Sequence, residues 1–383
     1  MKTKAVVVGA GVLGASVAYQ LAKRGCEVEI LEQGIPGDAA SAASFAWLNS
    51  NTKEFRPYHD INAMSMVEHS VVARELGDDS WLHYSGNLAV AATEKAAADL
   101  LARVERLHSY GYPALVLEPS EFARIDPAVR VHEDYLMGVL FPSEGHVDAP
   151  GLVRALLAAA TSMGAVLRPF TAVSGLVSDG GTVTGVVLAD GGVVRADVVV
   201  LAGGSGIGPL LSDVGFGVST TGAIGVSVVT APGVSALRTV LHLPGLSVRP
   251  DTGGRVMMRA KDVDFRVDAD AWTVPGDAVD SLADRVALRL ADAERSAIVA
   301  ERVKIAYRPY PLDGMPVVGP WNDTEGLYVV TMHSGVTMSA IMGRLAAEEI
   351  ASGAPAPLLE PFRPSRLDTA TPVFDPHGIE GEA

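Results

Sequence analysis

KAVVVGAGVLG, residues 4–14, decides the fold. Lys4–Val8 carries the unbroken apolar run Ala5–Val8, ending in three β-branched valines, which reads as a parallel strand buried on both faces rather than one face wet. Gly9-Ala10-Gly11-Val12-Leu13-Gly14 follows, and then Ala15–Arg24, whose apolar positions recur at helical spacing. Glu27–Leu31 is the next strand, completing a βαβ opening. In such a turn the glycines let backbone N–H groups come close to a pyrophosphate at the start of a helix. Glu32, 18 residues after Gly14, stands where an acid accepts a bond from a ribose hydroxyl. Gln33 and Gly34 come next, with no arginine for a 2′-phosphate, which argues against NADP.

Two further small-residue stretches widen the cofactor reading. GIPGDAASAASFAW follows Gln33, with Ser41 and Ser44 set among alanines such as Ala40. A second apolar strand, within residues 198–206, runs into Ala202-Gly203-Gly204, and a third glycine turn, His333-Ser334-Gly335, precedes a helix over 336–352. Contacts spread so widely fit FAD better than an NAD held on one half-domain.

Between these stretches the chain reads as helices near 60–76, over 94–110 and over 150–163, with strands at 86–92, 172–178, 182–188 and 193–196. Residues 222–270 read as long strands broken by Pro and Gly, and 277–300 as mostly helical. The order α/β, β-rich, α/β predicts a Rossmann-like, doubly wound cofactor domain interleaved with an antiparallel-sheet substrate domain. The cofactor domain is assigned to 1–82, 145–215 and 303–367, the substrate domain to 83–144 and 216–302, and 368–383 to a disordered tail.

The composition is that of a globular protein: 48% hydrophobic and 20% charged over 383 residues. The net charge of −15 disfavours nucleic acid and anionic membrane surfaces, and means that an anionic substrate needs a local cation. The single cysteine, Cys26, leaves no disulfide framework and no thiolate metal cluster, and no metal site is expected. No apolar run approaches the ~18 residues of a membrane span. With no signal peptide in its opening, the chain is expected to be cytoplasmic.

These motifs make the chain resemble the FAD-dependent D-amino-acid oxidase family, which holds glycine oxidase, sarcosine oxidase and D-amino-acid dehydrogenases. The likeness spans about residues 4–367. It is carried by VVVGAGVLGASVAYQLAKRGCEVEILEQG, GDAASAAS, GHVDAPGLVRAL (145–156), ADVVVLAGGSG and PFRPSRL (361–367). The most specific pair is RPYPLDGMPVVG (308–319) with GLYVVTMHSGVTMSAIMGRLAAEEI.

The resemblance implies noncovalent FAD, since no cysteine or histidine stands where some members attach it. Val336, Thr337 and Met338 are implied to add helix N–H groups at the flavin. The implied reaction is hydride transfer from the amine-bearing carbon of a small amino acid or amine to flavin, giving an imine that hydrolyses to an oxo acid. O2 or another electron acceptor reoxidises the flavin, and the oligomeric state, homo-oligomer included, is left open. Arg308 matches the arginine that holds the substrate carboxylate, a task suited to a permanently charged fork. A competing reading pairs Arg308 with a structural acid such as Asp313.

His333 and Arg259 complete the candidate catalytic set. His333 is either structural or a charge stabiliser. Arg259 is either a solvated edge residue or a second anion contact if Arg255, Met257 and Arg259 share one strand face. Arg249 and His242 are weaker candidates of the same kind. Met257, with Lys261 four residues on, aligns where some members carry an oxygen-activating lysine. Trp47 and Tyr58 suit a pocket wall and core packing equally well. Two other functions stay open: the FAD subunit of a heteromeric amine dehydrogenase, and a flavin monooxygenase.

Overall fold

A computed structural model describes residues 2–212, 224–321 and 324–368. Among these, six strands form one sheet, in the order Val317–Pro320, Leu327–Thr331, Val198–Leu201, Lys4–Val8, Glu27–Leu31, Val166–Arg168. All neighbours are parallel except the edge pair Val317–Pro320 and Leu327–Thr331. The unbroken apolar run of the first strand is explained by what covers it. Ala5 and Val7 face a core shared with helices Val12–Lys23, Ala149–Ser162, Arg56–Leu76 and Gly335–Ser352. Val6 and Val8 face a second core, shared with the antiparallel strands Val173–Asp179, Thr182–Leu188 and Val193–Arg195. With a layer on each face, the positions after Lys4 leave no room for a polar side chain.

The second sheet has eight strands among the described residues: Ala300–Tyr307, Ile224–Thr230, Arg255–Arg259, Leu246–Asp251, Val240–Leu243, Asn87–Ala91, Met137–Phe141, Leu115–Leu117. It is antiparallel apart from the pair Val240–Leu243 and Asn87–Ala91. Period-two alternation sorts its faces. Val228, Val256 and Met258 pack on helix Gly276–Arg289, whereas Val229 and Met257 turn the other way and meet Phe45 of the cofactor half.

The fold is the α/β plus β-rich architecture expected. Two details differ. The helix expected over 277–300 ends at Arg289. Beyond it, Leu290 bridges Val129, and the Asp292 carboxylate accepts bonds from Ser235 Oγ and Ala236 N, so distant partners claim the chain where its own composition still permits helix. Strand Ala300–Tyr307 belongs to the substrate sheet, so the boundary expected at 303 falls inside a strand; we propose to draw it after Tyr307. The boundary at 215 and the tail from 369 lie outside the described residues. Among the described residues no helix is long and apolar enough to cross a membrane.

Helices Val12–Lys23 and Gly335–Ser352 cross almost at backbone contact. A Cβ on Gly343 would lie 2.1 Å from Ser16 Oγ, and the Ser16 hydroxyl donates to Ser339 O at 2.7 Å. Helix Arg56–Leu76 braces the same region through His69, whose Nε2 lies 3.1 Å from Val336 O and 3.0 Å from Thr337 O.

His69 is fully buried, and burial pulls its pKa from 6.5 to about 4. Because the folded value is depressed, the unfolded chain binds the proton first. The contribution is therefore present above pH 6.5 and is lost as pH falls toward 4. Unfolding by urea at pH 7 and pH 4 should show His69→Gln losing about 3 kcal/mol less than the parent chain. An identical pH dependence in both would show that His69 stays uncoupled from folding.

Candidate active site

One cavity of about 580 Å³ runs from the first glycine turn to the cofactor-facing side of the eight-stranded sheet. At its first end Gly9 has φ +100, and a Cβ there would fall 2.7 Å from the Gly203 Cα. Only glycine allows the turn to lie so close to the end of strand Val198–Leu201. Glu32 anchors the turn: its carboxylate accepts Ala10 N at 2.8 Å and Gly34 N at 2.9 Å while lining the cavity. Val12 N donates to Ser41 Oγ at 3.0 Å, tying the short helix Ala40–Ala43 to the first turn of the long one.

Gly11, Leu13, Gln33, Ala40, Ser44, Ala202 and Gly204 also line this cavity, and so do Gly335, Val336 and Thr337 of the closing helix. That helix has no side-chain cap, so its first N–H groups face the cavity with their partial positive charge. Two sequence candidates lie apart from the cavity. Gly14 serves the packing: a Cβ there would sit 1.9 Å from Gly9 O, so its absence lets the helix settle on the turn. Met338 is fully buried in the helix core, and its N–H is already bonded to Ser334 O.

At the other end Arg308 and Arg259 both line the cavity and share one carboxylate. Asp264 Oδ2 lies 2.6 Å from Arg308 Nη2 and 3.2 Å from Arg259 Nη2, while Oδ1 accepts Val226 N at 2.7 Å. The acid beside Arg308 is thus Asp264 and not Asp313, which is taken by Arg366 at 2.7 and 3.0 Å. Arg308 Nη2 also donates to Ile224 O at 3.0 Å. Its path is cleared by Gly225, where a Cβ would come within 2.6 Å of Arg308 Nε.

His333 lines the cavity with its ring flat on Tyr310, centroids 4.0 Å apart. Trp47 also forms wall, held by its ring N–H on Glu144 at 3.0 Å and packed at a tilt of 47° against His242, centroids 4.1 Å apart. Tyr58 is buried behind the wall and donates to Ser334 Oγ at 2.9 Å. Arg255 shares the strand face with Arg259 but pairs with Glu301 at 2.8 Å. Met257 packs on Phe45, Val229 and Val240 and does not line the cavity. Neither does Arg249, which donates to Phe45 O at 2.7 Å and whose pKa burial lowers to about 10.

Comparison with known proteins gives the same answer. A model of the DAO family, FAD dependent oxidoreductase, matches residues 4–349. Glycine oxidase of Geobacillus kaustophilus (strain HTA426) is 31% identical over 372 residues, covering 94% of this chain and 96% of that protein. A D-amino acid dehydrogenase of Xanthobacter autotrophicus is 25% identical, covering 91% and 96%. The crystal structure of glycine oxidase from Geobacillus kaustophilus superposes with a TM-score of 0.83 at 27% identity, covering 95% of this chain and 99% of that one.

The residues fit FAD. A side-chain-free cradle at Gly9 and Gly203 would admit the pyrophosphate, Glu32 the ribose, and the uncapped turn Gly335–Thr337 the electron-rich end of the flavin. Gly9→Ala should purify with little or no bound FAD, read as the ratio of visible to ultraviolet absorbance. A variant as yellow as the parent chain would show that the turn does not hold the cofactor.

Proposed function

The chain belongs to the FAD dependent oxidoreductase (DAO) family, and from that premise we propose that it oxidises the C–N bond of a small amino acid or a related carboxylate-bearing amine. The carrying observation is the charge of the sheet end of the cavity. Two guanidinium groups, those of Arg308 and Arg259, line that end of the cavity around the buried Asp264 carboxylate, where a substrate would lie. In a chain of net charge −15, a pair of arginines lining one end of the cavity suits a carboxylate-bearing substrate. The names of relatives that are oxidases or dehydrogenases of amino acids support the same reading.

FAD, when bound, accepts the hydride. The work of the chain is binding and charge placement. Arg308 grips the substrate carboxylate, and Asp264, Gly225 and the prolines around Tyr310 keep it in place. A substrate amine bound neutral keeps its lone pair on nitrogen and needs no protein base. As the carbon gives up its hydride the nitrogen becomes an iminium, which loses a proton and is hydrolysed by water to an oxo acid and an amine. The uncapped helix start at Gly335–Thr337 and the ring of His333 stabilise negative charge gathering on the opposite side of the cavity.

Arg308→Lys should raise the apparent substrate KM about ten- to a hundred-fold, as a two-pronged charged contact becomes a single one. Unchanged kinetics would remove Arg308 from the carboxylate contact. The reaction class is tested by the visible spectrum without oxygen, before and after glycine, sarcosine, proline and D- and L-amino acids. Bleaching is expected with one class of these; failure of every amine to bleach a fully loaded protein would overturn the proposal.

A further inference from the structure

We propose that Trp272 and Tyr307 form a subsite for a planar, aromatic group of the substrate, beside the arginine pair. The inference rests on the carboxylate reading above and adds the chemistry of the side chain. Both residues line the cavity, as do Arg259 and Arg308, and Tyr307 directly precedes Arg308. Their ring centroids are 4.9 Å apart and tilted by 43°, so the pair forms an open wedge and not a closed stack. Trp272 stays 39% exposed and Tyr307 43%, whereas Trp81 and Trp321 are each 1% exposed. A large aromatic surface left open inside a cavity is where a ligand ring gains most, through offset or edge-to-face contact.

The backbone at Trp272 points the same way. Its φ is +53, the left-handed region that a bulky residue occupies under strain and glycine freely. A small hairpin imposes this conformation. Asp268 and Thr273 exchange both backbone bonds, at 2.9 and 3.2 Å, and Asp268 Oδ1 accepts Asp270 N and Ala271 N. Stability alone would favour glycine at this tip. An indole kept there against its backbone preference, and left uncovered, is explained by what it touches when the site is filled.

The experiment is calorimetric titration of the FAD-loaded protein with acetate and with phenylacetate, which differ only by the ring. Phenylacetate should bind at least about ten-fold more tightly. Trp272→Gly should remove most of that advantage, leave acetate affinity unchanged, and leave the thermal midpoint level or higher because strain is relieved. Tyr307→Leu should cut the phenylacetate advantage in part. Equal binding of the two ligands by the parent chain would overturn the ring subsite while sparing the carboxylate contact. A Trp272→Gly protein that melts lower and loses both ligands together would make Trp272 a packing residue. Binding of neither ligand would remove the carboxylate contact and the subsite with it.

Discussion

Two parallel strands, Lys4–Val8 and Leu327–Thr331, each run straight into a helix, and the two helices must then lie side by side with the same sense. Their positive ends consequently open at the same edge of the sheet. This holds only if the helices approach more closely than ordinary side chains permit. Gly343 against Ser16 supplies the gap, and the Ser16 hydroxyl fills it with a bond to Ser339 O. Widen that crossing and the turns at Gly9 and Gly335 no longer face a common cavity. The site is therefore fixed by packing some way behind it, where neither residue would touch a ligand.

The sheet end obeys an electrostatic constraint instead. Two guanidinium groups lining one part-buried wall repel each other, and Asp264, itself nearly inaccessible, offsets one of them. The acid comes from the short helix Lys261–Asp264 immediately after the strand that carries Arg259. Its other oxygen is held by Val226 N, so the triad is locked to the strand beside it. Gly225, on that same strand, provides the room through which Arg308 reaches Asp264. One carboxylate thus ties both arginines to the same wall of the cavity.

What could be read from the amino-acid sequence follows the range of the interactions. The first turn was legible because Gly9, Gly11 and Glu32 act within one βαβ unit, where spacing is structure. The turn at Gly335 was legible for the same reason. Arg308 was singled out by its motif, but the acid beside it was not legible: the competing reading offered Asp313, near in sequence, whereas Asp264 is near in space, brought there by pairing of Ile224–Thr230 with Ala300–Tyr307. Met338 and Gly14 lie in the right motifs yet serve packing, a distinction that only burial reveals. Trp272 carried no signal at all, since its meaning lies in a left-handed backbone and an uncovered ring.

The two halves of the chain are joined by a buried carboxyl group that forms no ion pair among the described residues. Glu144 is fully inaccessible, and its carboxylate accepts the Asn51 side chain, Tyr112 OH at 2.7 Å, Asn87 Nδ2 at 3.1 Å and the Trp47 ring N–H. Burial pushes its pKa upward, and those donors oppose the shift. Asn87 begins a strand of the substrate sheet, while Trp47 forms cavity wall and takes Thr337 Oγ1 on its carbonyl at 3.0 Å. A carboxylate in an apolar interior tolerates few arrangements of its donors, far fewer than an apolar contact of equal size. The cavity wall at Trp47 and the eight-stranded sheet are therefore indexed to one another through Glu144. The price of that registration is a carboxyl group kept out of water.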